Sequence, residues 1–126
     1  MGPDLAHYLV DTSIVIQHLL SDVHTVYAEA LFEGLGDTVM IHVPEFCFIE
    51  CTNVLWKRVR FHGLPQSVAE GLLNNLLALP ITVVPTAGVL KRSLQIGLRH
   101  QLAVYDSMYI ALAETLALPL ITDDQR

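Results

Sequence analysis

The sequence predicts an α/β fold with a mainly parallel sheet, on three observations. Short apolar, β-branched runs alternate with longer segments of helical period. No tight hairpin signal joins one run to the next. The first run, Tyr8-Leu9-Val10, ends abruptly in Asp11, Thr12 and Ser13. A strand does this when it delivers its first polar residues to the carboxyl edge of an open α/β sheet, where sites collect. Strands alternating with helices imply parallel βαβ units, so helices are expected to cover the sheet.

Residues 5–10 read as the first strand, with Thr12 or Ser13 capping a short helix through about residue 20. Val23, Val26, Tyr27, Ala30 and Leu31 follow the spacing of a second helix, which Gly34 and Gly36 end. Residues 39–43 form a β-branched strand. Pro44 then starts a helix over 45–62 with its φ already set, and Gly63 closes it. Pro65 and Ser67 open another helix, with Val68, Leu72, Leu73, Leu76 and Leu77 as its buried stripe. Pro80 leads into a strand at 81–84, and Thr86 caps a helix through about residue 98. Arg99-His100-Gln101 is a polar break before an alanine-rich helix over 104–116, a composition that permits close packing on a sheet. Pro119 precedes a last short strand at 120–122.

With 126 residues, the chain is the size of one ordinary domain, so a single domain over 1–126 is expected. Apolar residues make up 52% and charged residues 16%, a balance that suggests some surface is covered by a partner, often a second copy. No apolar run reaches the ~20 residues that span a bilayer, and the start of the chain lacks the basic and apolar segments of a signal peptide. A cytoplasmic protein without a membrane segment is the expectation. Thirteen acids against seven bases give a net charge of −6, which argues against a general nucleic-acid binder. Cys47 and Cys51 lack the further ligands of a zinc site and read as small buried hydrophobes in a reducing compartment. The six histidines show no ligand spacing and read as surface or satisfied residues.

Chemistry is carried by the placement of the acids. Asp11 follows the first strand, Glu50 interrupts an apolar helix, Asp106 stands near the start of another helix, and Asp123-Asp124 follow the last strand. Taken singly, each has an ordinary explanation: a wet helix face for Glu50, a favourable charge at a helix start for Asp106, a turn for the aspartate pair. Jointly, they put carboxylates at carboxyl ends of strands or in first turns of helices. Hard oxygen ligands of this kind suit Mg²⁺ or Mn²⁺ and metal-assisted hydrolysis of a phosphodiester. Glu50, Asn53 and Lys57 form one polar line on their helix. Lys57, Arg58 and Arg60 make a basic cluster two turns beyond Glu50, and Lys91, Arg92 and Arg99 a second; either suits phosphate contact or a solvated helix end.

These residues resemble the PIN-domain ribonucleases, of the VapC-like kind that serve as toxins in type II toxin–antitoxin pairs. The resemblance rests on Leu9-Val10-Asp11-Thr12-Ser13, on Pro44-Glu45 through Glu50-x-x-Asn53-Val54-Leu55, on Tyr105-Asp106 through Ala113, and on Leu120-Ile121-Thr122-Asp123-Asp124. It spans nearly the whole chain in order. It implies a three-layer α/β/α sandwich and Mg²⁺- or Mn²⁺-dependent endonuclease action on RNA. Asp11, Glu50 and Asp106 match the three core acids. The fourth matches Asp124, the aspartate of a Thr-x-Asp motif, with Asp123 able to substitute. Thr12, Ser13 and Thr122 would orient the carboxylates, with Asn53 a polar neighbour. A homodimer and a cognate antitoxin that covers the site are implied as well. Similar proteins continue past this motif with a short helix or loop and a final strand, and this sequence departs from that pattern by stopping at Arg126. Two other functions were weighed against this one. A PIN-like module that binds RNA or protein without cutting is disfavoured by the presence of all four acids. A phosphatase of the haloacid-dehalogenase type needs a second aspartate where Ser13 stands.

Overall fold

A computed structural model describes residues 5–20 and 26–123. Its elements are β1 (Ala6–Val10), α1 (Thr12–Leu19), α2 (Val26–Glu33), β2 (Val39–Pro44), α3 (Glu45–His62), α4 (Gln66–Ala78), β3 (Thr82–Val84), a 3-10 turn (Ala87–Val89), α5 (Leu90–His100), α6 (Val104–Leu116) and β4 (Leu120–Ile121). The sheet order is β3-β2-β1-β4, and all three pairings are parallel. After β1 the chain builds β2 and β3 on one side, then returns to place β4 on the other. The order therefore reverses beside β1, and a crevice opens past the carboxyl ends of β1 and β4.

Alternation along β1 divides the interior in two. Val10 faces a cluster with Ile14, Val15, Ile41, Val43, Cys47 and Leu55, beneath α1 to α4. Leu9 faces the opposite cluster with Val84, Ile96, Tyr109, Ala111 and Leu112, beneath α5 and α6. Helices thus cover both faces, the three-layer sandwich expected from the sequence. Fully burying a side chain such as Leu9 or Leu112 contributes about 2 kcal/mol. Ala111 is fully buried, which fits the alanine-rich helix 104–116 packing closely on the sheet. Cys47 and Cys51 are buried and unpaired by disulfide, as the sequence suggested.

Close approach between α5 and α6 depends on Gly97. A Cβ there would sit 2.9 Å from the Leu102 carbonyl oxygen and 3.1 Å from Ser107 Oγ. At the end of α3, Gly63 takes φ 76°, the left-handed cap that glycine adopts without strain.

Several local expectations are corrected. The N-cap of α1 is Asp11, not Thr12 or Ser13: its backbone is extended and its side chain accepts from Ile14 N. Residues 86–98 do not form one helix; a 3-10 turn precedes α5, which runs on through Arg99 to His100. On α4, Val68 and Leu77 are exposed, and Ala69 and Leu76 are the buried positions. On α2, Val26 and Ala30 are exposed while Ala28 is buried, and Val23 lies outside the described residues. The strands are one residue shorter at 5, 81 and 122 than expected, and β2 extends through Pro44, which caps α3.

Candidate active site

Asp11 leaves β1 at the reversal point, and its carboxylate is held from three directions. Oδ1 accepts from Ser13 Oγ at 2.5 Å and from the Ile14 amide at 3.4 Å. Oδ2 accepts from the Thr122 hydroxyl, which arrives from the end of β4. The Asp123 amide donates to Ser13 Oγ at 3.0 Å, and the Asp11 amide donates to the Ile121 carbonyl at 3.3 Å. The two strand ends are thereby stitched together, and Ser13 and Thr122 fix the rotamer of Asp11. Asp124, the fourth acid of the sequence pattern, lies outside the described residues.

Thr12 points the other way, into the interior. Its Oγ1 donates to Glu50 Oε1 at 2.9 Å and lies 3.2 Å from the Tyr109 hydroxyl and 3.5 Å from Cys47 Sγ. A hydroxyl has one proton to give. The short bond to the carboxylate takes it, so the Tyr109 hydroxyl is the donor where it meets the Thr12 oxygen and the Glu50 carboxylate. Glu50 is half-buried on α3, and its pKa is raised by burial and by the nearby charges of Asp106 and Asp11, against the lowering effect of its bonds from Thr12 and Tyr109. Burial likewise pushes the Tyr109 phenol up, so it stays a neutral donor. The Cys51 thiol is pushed up by its hydrogen bond to Cys47 and by burial, and the Glu50 charge adds to this.

Asp106 stands in the first turn of α6, and Tyr109 lies one turn further on the same helix. Asp11, Asp106, Tyr109 and Thr122 line a cleft of about 110 Å³ at the carboxyl edge of the sheet. The fold brings Asp11 and Asp106 onto one cleft and Glu50 close enough for both charges to act on it, from positions 39 and 56 residues apart in sequence. It brings Ser13 and Thr122 onto Asp11 and Thr12 onto Glu50. Asn53 is exposed on α3, three residues beyond Glu50, and Asp123 is exposed after β4. Lys57 and Arg60 are exposed on α3, Arg58 is partly covered, and Arg60 lies 5.2 Å over the Phe61 ring. Arg92 is engaged elsewhere: its guanidinium makes a two-pronged bond to Glu114 at 3.1 and 3.2 Å. Sequence analysis missed Tyr109 and Cys47 as neighbours of the acids; their helical offsets of three from Asp106 and Glu50 were the available signal.

Glu50, its pKa held up by burial and by the charges of Asp106 and Asp11, is a carboxylate that a cation would relieve. Among the described residues, no three acid, imidazole or thiol groups already converge as a complete ligand set. Mg²⁺ needs none, since it retains several waters and uses one or two carboxylates. The donor set fits a hard divalent ion on those terms.

Residues 8–126 match the model of the PIN domain, and the chain belongs to that family. Among curated relatives it is similar to ribonuclease VapC3 of Pyrobaculum aerophilum, with 28% identity over 120 residues that cover 94% of this chain and 89% of the relative. A crystal structure from the same organism superposes with a TM-score of 0.76 at 21% identity, over 98% of this chain and 84% of that one. A toxin–antitoxin complex from Klebsiella pneumoniae contains a chain with a TM-score of 0.63 at 21% identity, over 94% and 88% of the two chains. These structural likenesses show the fold: a PIN-type α/β/α sandwich.

Proposed function

We propose that this protein is a divalent-metal-dependent endoribonuclease and the toxin of a toxin–antitoxin pair, acting as one domain over residues 1–126. The observation that carries it is that Asp11 and Asp106 line one cleft at the reversal point of the sheet, with Glu50 near enough for both charges to act on it. The similarity to a VapC ribonuclease supports RNA as substrate, and that to a chain of a toxin–antitoxin complex supports an antitoxin partner. Asp11, Glu50 and Asp106, with Asp124 as the fourth acid and Asp123 as its substitute, would hold Mg²⁺ or Mn²⁺. When bound, such an ion neutralises charge on the phosphoryl oxygens and lowers the pKa of an attacking water.

The chain's own residues do the positioning. Ser13 and Thr122 hold both oxygens of Asp11 toward the cleft. Thr12, backed by Tyr109, holds Glu50. Glu50, disfavoured as an anion by burial and by the charges of Asp106 and Asp11, gains from a cation bound beside them. Lys57, Arg58 and Arg60 offer phosphate contacts along α3, with Asn53 on the same helix. Leu90, Leu94 and Leu98, all exposed at four-residue spacing on α5, supply an apolar stripe for a homodimer. A groove of about 440 Å³ between α3 and α4, lined by Leu55, Trp56, Val59 and Leu73 with Arg60 and Glu70, suits a protein partner. No helix among the described residues is long and apolar enough to cross a membrane; a cytoplasmic site of action is part of the proposal.

The test is cleavage of a mixed RNA substrate by purified protein with Mg²⁺ or Mn²⁺, with excess chelator, and with Asp106→Asn. Cutting that needs the metal and disappears in the variant supports the nuclease. Metal binding by the wild-type chain with no cutting of any RNA offered would turn the assignment toward a non-cleaving interaction module.

A further inference from the structure

His7 and His42 are thirty-five residues apart in sequence, yet His7 Nδ1 lies 3.0 Å from His42 Nε2. Register brings them there. His7 is paired with Met40 and Leu9 with His42 on adjacent parallel strands, so both imidazoles rise from the α5–α6 side of the sheet as diagonal neighbours. His7 is exposed and His42 partly covered, and the pair sits toward the amino end of β1, four residues from Asp11. That is about 13 Å along the strand from the carboxylates.

We propose that His7 and His42 form a second, separate metal site for an imidazole-binding d-block dication, with Cu²⁺ the ion it holds most tightly. The argument is geometric. Metal–imidazole bonds are about 2.0–2.1 Å long, so two nitrogens about 3 Å apart can reach one shared ion once their lone pairs turn toward it. Square-planar nitrogen and oxygen ligation favours Cu²⁺ and Ni²⁺, and Cu²⁺ stands highest in the divalent series. The rings are 5.2 Å apart between centroids and tilted by 36°. A modest rotation of each ring, unhindered at the exposed His7, turns lone pairs that now face one another toward a common point.

Proton accounting is simple. One N–H lies across the 3.0 Å contact. On binding, that proton moves to the other nitrogen of its own ring, leaving His7 Nδ1 and His42 Nε2 both free to donate. Burial and the neighbouring His7 hold the His42 pKa below its ordinary value, so His42 is neutral at physiological pH. The parallel register fixes both backbones before the ion arrives, and water fills the remaining coordination positions.

The test uses untagged full chain titrated with CuCl₂ by calorimetry, followed by electron paramagnetic resonance of the one-to-one complex. Wild type, His7→Ala, His42→Gln and the remote control His100→Ala are compared. The expected result is a tightest site whose spectrum shows two nitrogen ligands, weakened at least tenfold in each of the first two variants and unchanged in the control. Exposed His7 can be replaced without disturbing the core, so His7→Ala separates lost ligation from lost folding. Unchanged Cu²⁺ affinity in His7→Ala and His42→Gln, or a single-nitrogen spectrum, would overturn the site. Either outcome is independent of whether the chain cuts RNA.

Discussion

Thr12→Val is the most informative single substitution, because it keeps the branched shape and removes one oxygen. That oxygen donates to Glu50 at 2.9 Å and receives the Tyr109 hydroxyl at 3.2 Å. A hydrogen bond to a charged group contributes about 1.5–3 kcal/mol, but Glu50 is only half-buried and water replaces part of the loss. Tyr109 is 6% exposed, but its hydroxyl keeps the Glu50 carboxylate as a partner, so losing Thr12 does not strand it. The combined expectation is a stability loss of about 1–2 kcal/mol. The functional effect is separate: without its donor, the Glu50 carboxylate is no longer fixed, and removing an outer partner of a metal ligand typically costs about 10–100-fold in affinity or activity. Urea denaturation measures the first effect. Mg²⁺ calorimetry and RNA cleavage rates measure the second, and Thr12→Ser should recover most of both. If Thr12→Val loses stability yet binds Mg²⁺ and cleaves within about twofold of wild type, the hydroxyl is structural and the positioning argument fails.

Three further predictions concern the same framework. The Glu50 pKa is raised in the fold, so the native state holds its proton more tightly than the unfolded chain does. Its contribution is therefore favourable below the unfolded pKa and is lost as pH rises through the folded one. Glu50→Gln should melt higher than wild type at pH 7 without metal, the gap should close toward pH 4, and saturating Mg²⁺ should reverse the order; a gap that widens on acidification would contradict this. Tyr109→Phe should cost about 1 kcal/mol and lower cleavage less than Thr12→Val, since Thr12 keeps its bond to Glu50. Gly97→Ala should lower the melting temperature despite alanine's better helix propensity, because overpacking against the Leu102 carbonyl outweighs the roughly 1 kcal/mol gained; an increase would show that α5 and α6 separate freely.

The sheet was legible in the sequence because period and chain direction are local properties. β-branched runs without hairpin turns admit little except parallel strands, and the four pieces around Asp11, Glu50, Asp106 and Thr122 were found in order. Helix faces were less legible. Valine at 68 and leucine at 77 look like core by residue type, but α4 presents Ala69 and Leu76 to the interior, and apolar identity does not say which side a long stripe turns. Capping was misassigned by one residue, since hydroxyls at 12 and 13 are as good a signal as the carboxylate at 11. Their hydroxyls are used differently: Ser13 holds Asp11, and Thr12 crosses to another helix. Tyr109 reads as core in an apolar helix, and its contact with Thr12 spans 97 residues, which only topology creates. The same holds for His7 and His42, whose meeting is set by strand register.

The most direct test of the central claim is the anomalous signal of Mn²⁺ in crystals of the wild-type chain and of Asp11→Asn. The account predicts a peak within coordination distance of the Asp11, Glu50 or Asp106 carboxylates, lost in the variant, whose asparagine still caps α1. A Mn²⁺ peak elsewhere on the chain, or one that survives unchanged in Asp11→Asn, would contradict it.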